Sequence, residues 1–218
     1  MKLFLKGLFL NVVLFAGFST VSGSTIEGPI YDSISNVNLY VVSSGSWNQA
    51  ESQAVALGGH LVTIHSAAEN QFIVNNVLVN FAGSGGPNLS DVPLWIGLYD
   101  PTGAGSNDGS SSGHAANFVW ADGSTSTYRN WNSGEPNNAG GTEYYANINW
   151  HYSVSSSETV GTWNDTPLGG SSGYGGNSNG TYYGIAAVPV PEPSSFALLG
   201  LGIAGFALQA YRRRNATV

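Results

Sequence analysis

Cysteine is absent from all 218 residues, which excludes disulfides, thiolate nucleophiles and cysteine-ligated metal sites together. Basic residues are almost as scarce. Of the six Lys and Arg, five lie near the two ends, and between Thr25 and Pro193 only Arg129 stands against thirteen acidic residues, a net charge of −12. Such a surface repels nucleic acid, anionic lipid and acidic polysaccharide, and it favours cations and neutral ligands. Catalytic signatures are missing as well. The four histidines, His60, His65, His114 and His151, form no His-Glu-x-x-His pattern, and no Gly-x-Ser-x-Gly elbow joins a strand to a helix. Glu135 and Glu143 could be posed as a glycosidase pair, but sequence spacing alone does not fix the distance between two carboxyl groups. The chain therefore reads as a binding protein rather than an enzyme.

The apolar run at the start is short. Lys2 and Lys6 precede eleven apolar-dominated residues, Leu8 to Phe18, and small residues follow at Ser22, Gly23 and Ser24. That is the layout of a secretory signal peptide over residues 1–24, since a membrane-spanning helix needs about 20 apolar residues. At the other end, Pro191-Glu192-Pro193 is followed by an apolar, glycine-punctuated stretch from Phe196 to Tyr211 and then by Arg212-Arg213-Arg214. Arginines after such a stretch belong on the cytoplasmic side of a membrane. Residues 189–218 resemble the PEP-CTERM sorting signal of Gram-negative bacteria that make exopolysaccharide. The resemblance implies recognition by the membrane protease-transpeptidase exosortase, processing at Pro191, Glu192 and Pro193, and transient anchoring in the inner membrane by an apolar helix. The destination is then the cell surface or the extracellular matrix.

Residues 25–188 are left as one domain, rich in aromatics, with six Trp in the chain. Leu39 to Val42 is β-prone. Ser46 is a candidate N-cap for a helix to Leu57 that stops at Gly58-Gly59, with Trp47, Ala50, Ala54 and Leu57 on one face. Leu61 to Ile64 predicts a strand. A second helix starts near Ser66, with Glu69 placed as in a capping box, and runs through Phe72, Ile73, Val77 and Leu78. Leu94 to Leu98 and Phe118 to Trp120 predict strands, a turn falls at Asp122-Gly123, and Tyr182 to Val188 predicts a closing strand. Two early helices followed by short strands and long loops indicate an α+β domain.

The chemistry gathers in Trp131-Asn132-Ser133-Gly134-Glu135-Pro136-Asn137, with Glu143 beyond it and Trp163-Asn164-Asp165 further on. Carboxylates and amide carbonyls on irregular backbone suit a hard cation such as Ca²⁺, which takes six to eight oxygens at roughly 2.3 to 2.6 Å. Glu135, Glu143 and Asp165 supply charge, while Asn137 and Asn164 supply neutral oxygens. An X-Pro bond between two such residues can be cis at low cost, which would aim both neighbouring side chains at one point. Taken singly, each motif reads better as an Asx turn on a glycine-rich surface, and only the full series favours the metal site.

The series as a whole resembles the C-type lectin domain. It comprises Trp47 with Ala50, the Gly58-Gly59-His60-Leu61-Val62-Thr63-Ile64 run, Glu69, Trp95-Ile96-Gly97-Leu98 and Trp120 with Asp122-Gly123. It continues through Trp131, Glu135-Pro136-Asn137, Glu143 and Trp163-Asn164-Asp165. The resemblance implies a C-type lectin-like fold in which Glu135, Asn137, Glu143, Asn164 and Asp165 bind both the calcium and the sugar. It also associates the Glu-Pro-Asn order with mannose, N-acetylglucosamine, glucose or fucose. The family's disulfide positions fall at Ala54, Tyr145, Leu168 and about Ile185, where apolar packing is expected instead. The stretch from Tyr144 to Trp163 is longer than usual for the family. A competing function is a C-type-lectin-like module for adhesion or matrix building that binds other proteins without sugar.

Overall fold

The computed structural model describes residues 25–79, 89, 92–102, 115–149, 160–171, 182–190 and 209. The expected signal peptide, the Pro191-Glu192-Pro193 site, nearly all of the C-terminal apolar stretch, its arginines and residues 150–159 of the long segment lie outside them. Among the described residues no helix is long and apolar enough to cross a membrane.

Strand β1 (Thr25–Asp32) leads into β2 (Val37–Gly45), helix α1 (Trp47–Ala56), the two-residue β3 (His60–Leu61) and helix α2 (Ala67–Ile73), which widens into a π-turn over Val74–Leu78. Then come β4 (Leu94–Tyr99), β5 (Val119–Trp120), β6 (Tyr145–Ile148), β7 (Trp163–Thr166) and β8 (Tyr182–Pro189). Among the described residues these strands form one sheet in the order β1-β2-β8-β4-β6-β7, with β3 on β8 and β5 on β4. Most neighbours are antiparallel, but β4 runs parallel to β8. The architecture is α+β and C-type lectin-like, as expected.

Helix α1 forms where the sequence places it. The Ser46 hydroxyl accepts the Gln49 N–H, the Gln49 side chain returns to the Ser46 N–H, and Trp47, Ala50 and Ala54 are buried. A reciprocal cap of this kind satisfies two amide donors that the helix itself cannot. At α2 the expected box is only half made. Ser66 caps the Glu69 N–H, but the Glu69 carboxylate turns to the His65 N–H and Nδ1, both at 2.9 Å.

The expected Leu61 to Ile64 strand shortens to His60–Leu61. Val62 donates its N–H to the Ile185 carbonyl at 2.7 Å and accepts from the Gly97 N–H at 2.9 Å. The segment thus crosses from β8 to β4 instead of running beside either. Gly97 permits that crossing, because a Cβ there would meet the Leu61 carbonyl oxygen at 2.4 Å.

Strand β4 is buried on both faces, and its alternation divides the core in two. Leu94, Ile96 and Leu98 join the cluster that contains Trp120 and Trp163, while Trp95 joins the one that contains Trp47 and Tyr182. Of the positions where the resemblance implies half-cystines, Ala54 and Ile185 are fully buried and Tyr145 stacks on Trp47 at 5.3 Å. Leu168 does not pack as expected, for it is 39% exposed. There the link is a backbone bond, from the Trp47 N–H to the Leu168 carbonyl at 3.0 Å.

Candidate functional site

The site is built outward from Trp163, which is fully buried at the start of β7. Its ring meets Trp120, Tyr128 and Trp131 edge-on, with centroids 5.8, 5.7 and 5.9 Å away. Such contacts contribute about 0.5–1.5 kcal/mol each beyond area burial. Its indole N–H donates to Asn70 Oδ1 at 2.8 Å, and Asn70 Nδ2 donates to the Gly161 carbonyl at 3.1 Å, so α2 holds the segment that enters β7.

Backbone bonds then lay the loop beside that strand. The Trp163 N–H donates to the Asn130 carbonyl at 2.9 Å, and the Asn132 N–H donates to the Trp163 carbonyl at 2.8 Å. Trp131 lies between them in a parallel bridge to Trp163 and packs on Phe118, which makes it part of the core rather than a platform for sugar. Arg129 is also committed inward. It donates to the carbonyls of Ser126, Tyr128 and Phe118, and its guanidinium carbon stands 5.4 Å from the centre of the Trp120 ring.

From this anchor the chain reaches Glu135, whose bond to Pro136 is cis. Beyond it, three consecutive amides point at two carboxylates. The Asn137 N–H donates to Asp165 Oδ1 at 3.0 Å, the Asn138 N–H to Asp165 Oδ2 at 2.8 Å and the Ala139 N–H to Glu143 Oε2 at 2.7 Å. Asn138 takes φ 48° and ψ 48°, and its side-chain oxygen accepts the Glu143 N–H at 3.1 Å. Successive N–H groups around a left-handed residue make an anion-binding concavity, and here the anions are the protein's own side chains.

Four of the five expected site residues therefore meet in one place. Glu135, Asn137, Glu143 and Asp165 share the loop and its contact with β7. Asn164 sits beside them on β7, opposite Asn147 across the ladder. Asp165 is fully buried, Asn164 and Glu143 nearly so, Glu135 half-buried and Asn137 exposed. Burial, then the neighbouring Asp165 and Glu143 carboxylates, push the Glu135 carboxyl up to about 8, against a smaller pull downward from the Asn137 amide.

Among the described residues no three carboxylate or imidazole side chains stand in ready-made metal-ligand spacing. The donor chemistry nevertheless fits a hard cation. Glu135 Oε2 and Asn164 Oδ1 are buried without a hydrogen-bond partner, and buried oxygens are seldom left so. An all-oxygen set of three carboxylates and two carboxamides could hold calcium, whereas nothing in it favours a soft metal.

The sequence did not signal Asn70, Asn130 or Asn138 as parts of the site. A recognisable signal existed only for Asn138, since Asn is one of the few residues that visit the left-handed region readily. The histidines lie elsewhere. His60 Nδ1 is 2.6 Å from Glu51, while His114 and His151 fall outside the described residues. Ser124 Oγ is 3.3 Å from His65 Nε2, but it also accepts the Ser126 N–H at 3.2 Å and so closes a local turn.

A family model for the lectin C-type domain matches residues 43–169, and one for the PEP-CTERM protein-sorting motif matches residues 189–214. Ladderlectin of Oncorhynchus mykiss is 34% identical over 133 residues, covering 61% of this chain and 57% of that protein. A C-type lectin mannose-binding isoform of Oxyuranus scutellatus is 33% identical over 124 residues, covering 56% and 63%. This chain thus spans somewhat more than half the length of these relatives. In three dimensions it resembles human lithostathine, with a TM-score of 0.50 and 20% identity over 77% of this chain and 94% of that one, a likeness of fold alone. With its family model matched from the end of β2 through β7, over more than half of the chain and the whole Glu135 loop, the chain belongs to the C-type lectin domain family and carries a PEP-CTERM sorting motif at its C-terminal end.

Proposed function

We propose that residues 25–188 form a calcium-dependent carbohydrate-binding domain without catalytic activity, selective for mannose, N-acetylglucosamine, glucose or fucose-type glycans. The observation that carries this reading is the convergence of Glu135, Glu143 and Asp165 on one loop, with Glu135 Oε2 and Asn164 Oδ1 buried and unbonded. Glu135, Asn137, Glu143, Asn164 and Asp165 would hold the ion. When bound, calcium supplies positive charge and open coordination positions for two adjacent sugar hydroxyls. The chain's own groups orient those hydroxyls. A Glu135 or Glu143 carboxylate oxygen accepts a hydrogen bond from a hydroxyl, and an Asn137 or Asn164 amide donates one, so both roles of each hydroxyl are used.

The domain's charge agrees with a neutral glycan rather than an acidic one. Residues 1–24 act as the export signal and residues 189–218 as the exosortase substrate. The apolar stretch from Phe196 to Tyr211 anchors the protein in the inner membrane of a Gram-negative bacterium before processing at Pro191-Glu192-Pro193. The mature protein then reaches the surface or the exopolysaccharide matrix. Mass spectrometry of surface-released protein should find no Arg212 to Val218 tail, and an intact tail would reject the processing step.

A glycan array probed with multivalent protein, with and without chelator, tests the binding reading. One monosaccharide contact gives only ~4 kcal/mol at a millimolar constant, so multivalency is required. Chelator-sensitive capture by mannose-type glycans supports the proposal. Capture of proteins but of no glycan would favour the adhesion reading, for which the exposed Ile26, Tyr31 and Ile34 on and beside β1 offer a surface.

A further inference from the structure

We infer that Asn138 is a positioning residue for the proposed calcium site, setting two of its carboxylates before any ion arrives. The inference rests on the calcium reading above. Two interactions meet in this one residue: its backbone N–H donates to Asp165 Oδ2 at 2.8 Å, and its side-chain oxygen accepts the Glu143 N–H at 3.1 Å. It is thereby tied to both acidic residues, which are 27 and five positions away in the chain.

Its backbone conformation explains how. At φ 48° and ψ 48° the chain reverses its curl between Asn137 and Ala139, so that the three amides 137, 138 and 139 face one side and engage Asp165 and Glu143 together. A residue held in the ordinary right-handed or extended region would turn at least one of those amides away. Asn enters the left-handed region at low cost, and a β-branched residue does not.

The arrangement performs an electrostatic task. Carboxylates brought to one place repel one another. Amide dipoles directed at Asp165 and Glu143 offset part of that repulsion and hold the oxygens of both residues in register. Asn164 Oδ1, 4% exposed by residue and without a hydrogen-bond partner, stands next to Asp165 as a donor still to be used. Calcium therefore meets a loop already ordered, and its binding energy is not spent on folding residues 137–143.

The test compares Asn138→Val, Asn138→Gly and Asn138→Asp in purified protein. It uses three readouts: calcium affinity by titration, melting temperature in chelator, and hydrogen exchange of amides 137–139 in chelator. Asn138→Val should lower calcium affinity about 10–100-fold, the usual range for losing a partner that orients a metal ligand, and should expose the three amides to exchange. Asn138→Gly keeps the left-handed conformation and loses only the acceptor for the Glu143 N–H, so its loss should be smaller. Asn138→Asp keeps both features and should restore affinity and protection. Chelator melting temperatures of the Gly and Asp variants should stay near wild type, which separates positioning from global stability. If the Val variant does not fold, the contrast between Gly and Asp decides.

Wild-type calcium affinity in both the Val and Gly variants would overturn the inference. Should the wild type bind no calcium, the calcium reading fails on its own. Amide protection lost in Asn138→Val and kept in Asn138→Asp would then still support the positioning role, and protection kept in all three would refute it.

Discussion

The half of the domain built on α1, β2 and β8 and the half built on β6, β7 and the Glu135 loop treat buried polar groups in opposite ways. In the first, the indole N–H of Trp47 reaches the Ile96 carbonyl at 2.8 Å, that of Trp95 reaches the Gly45 carbonyl at 2.9 Å, and the α1 cap closes on itself. In the second, Glu135 Oε2, Asn147 Oδ1 and Asn164 Oδ1 are buried and unbonded, leaving only Thr63 Oγ1 among such described atoms to lie elsewhere. A scaffold gains stability by satisfying its polar groups. A binding site keeps some unsatisfied for the ligand, and the difference supports placing the proposed site in the second half.

The sharpest way to break that contrast is Asp165→Ala. Asp165 is fully buried and accepts two amides, so its loss should abolish calcium and glycan binding together, as read by calorimetry and glycan capture. The stranded Asn137 and Asn138 amides should also lower stability by about 1–3 kcal/mol each. Retained glycan binding would move the site elsewhere.

Next in size is Asn70→Ala, which removes the partner of the Trp163 indole and one of the two side-chain donors to the Gly161 carbonyl, the other being Asn130 Nδ2 at 2.9 Å. A loss of about 1–3 kcal/mol for the stranded indole N–H should appear in denaturant unfolding, with glycan affinity of the folded fraction much less affected.

A pH series sharpens the comparison further. Glu135 titrates near 4.5 when unperturbed and is displaced to about 8 in the folded protein. The folded state then binds more protons than the unfolded one between those values, so this group's contribution is fully present below about pH 4.5 and is lost as pH rises through about 8. In chelator the melting temperature should therefore carry a downward component over that window, and Glu135→Gln should remove it. Calcium binding requires the ionised form, so calcium affinity should rise over the same window. An identical pH dependence in wild type and Glu135→Gln would contradict the assignment.

Smaller in energy and more specific is the double substitution Glu135→Gln with Asn137→Asp. It keeps the ligand oxygens and total charge but exchanges donor for acceptor. Calcium affinity should change little while preference on an array moves from mannose-type toward galactose-type sugars.

Much of the scaffold was legible because its signals are local. Ser46, the spacing of Trp47, Ala50 and Ala54, and the stop at Gly58, which takes φ 90°, define α1 within a dozen residues. Strand β1 carries no clear signal of this kind, because Gly28-Pro29 and two register shifts against β2 interrupt its alternation. At the site, residue types were readable and their support was not. Glu135, Asn137, Glu143 and Asp165 declare themselves by chemistry, but Asn70 is 93 residues from the indole it holds. The direction of amides 137 to 139 depends on one left-handed residue and on a strand more than twenty positions further along. Backbone polar groups carry no sequence signature, so contacts made by them emerge only with the tertiary fold.

The central claim is that one cation joins this polar half to sugar, and glycan capture measured as a function of free calcium tests it most directly. Capture of mannose-type glycan by the wild type should rise and saturate with calcium, vanish in chelator and be absent at every calcium concentration for Asp165→Ala. Full-strength capture in excess chelator, or no capture of any glycan at saturating calcium, would contradict it.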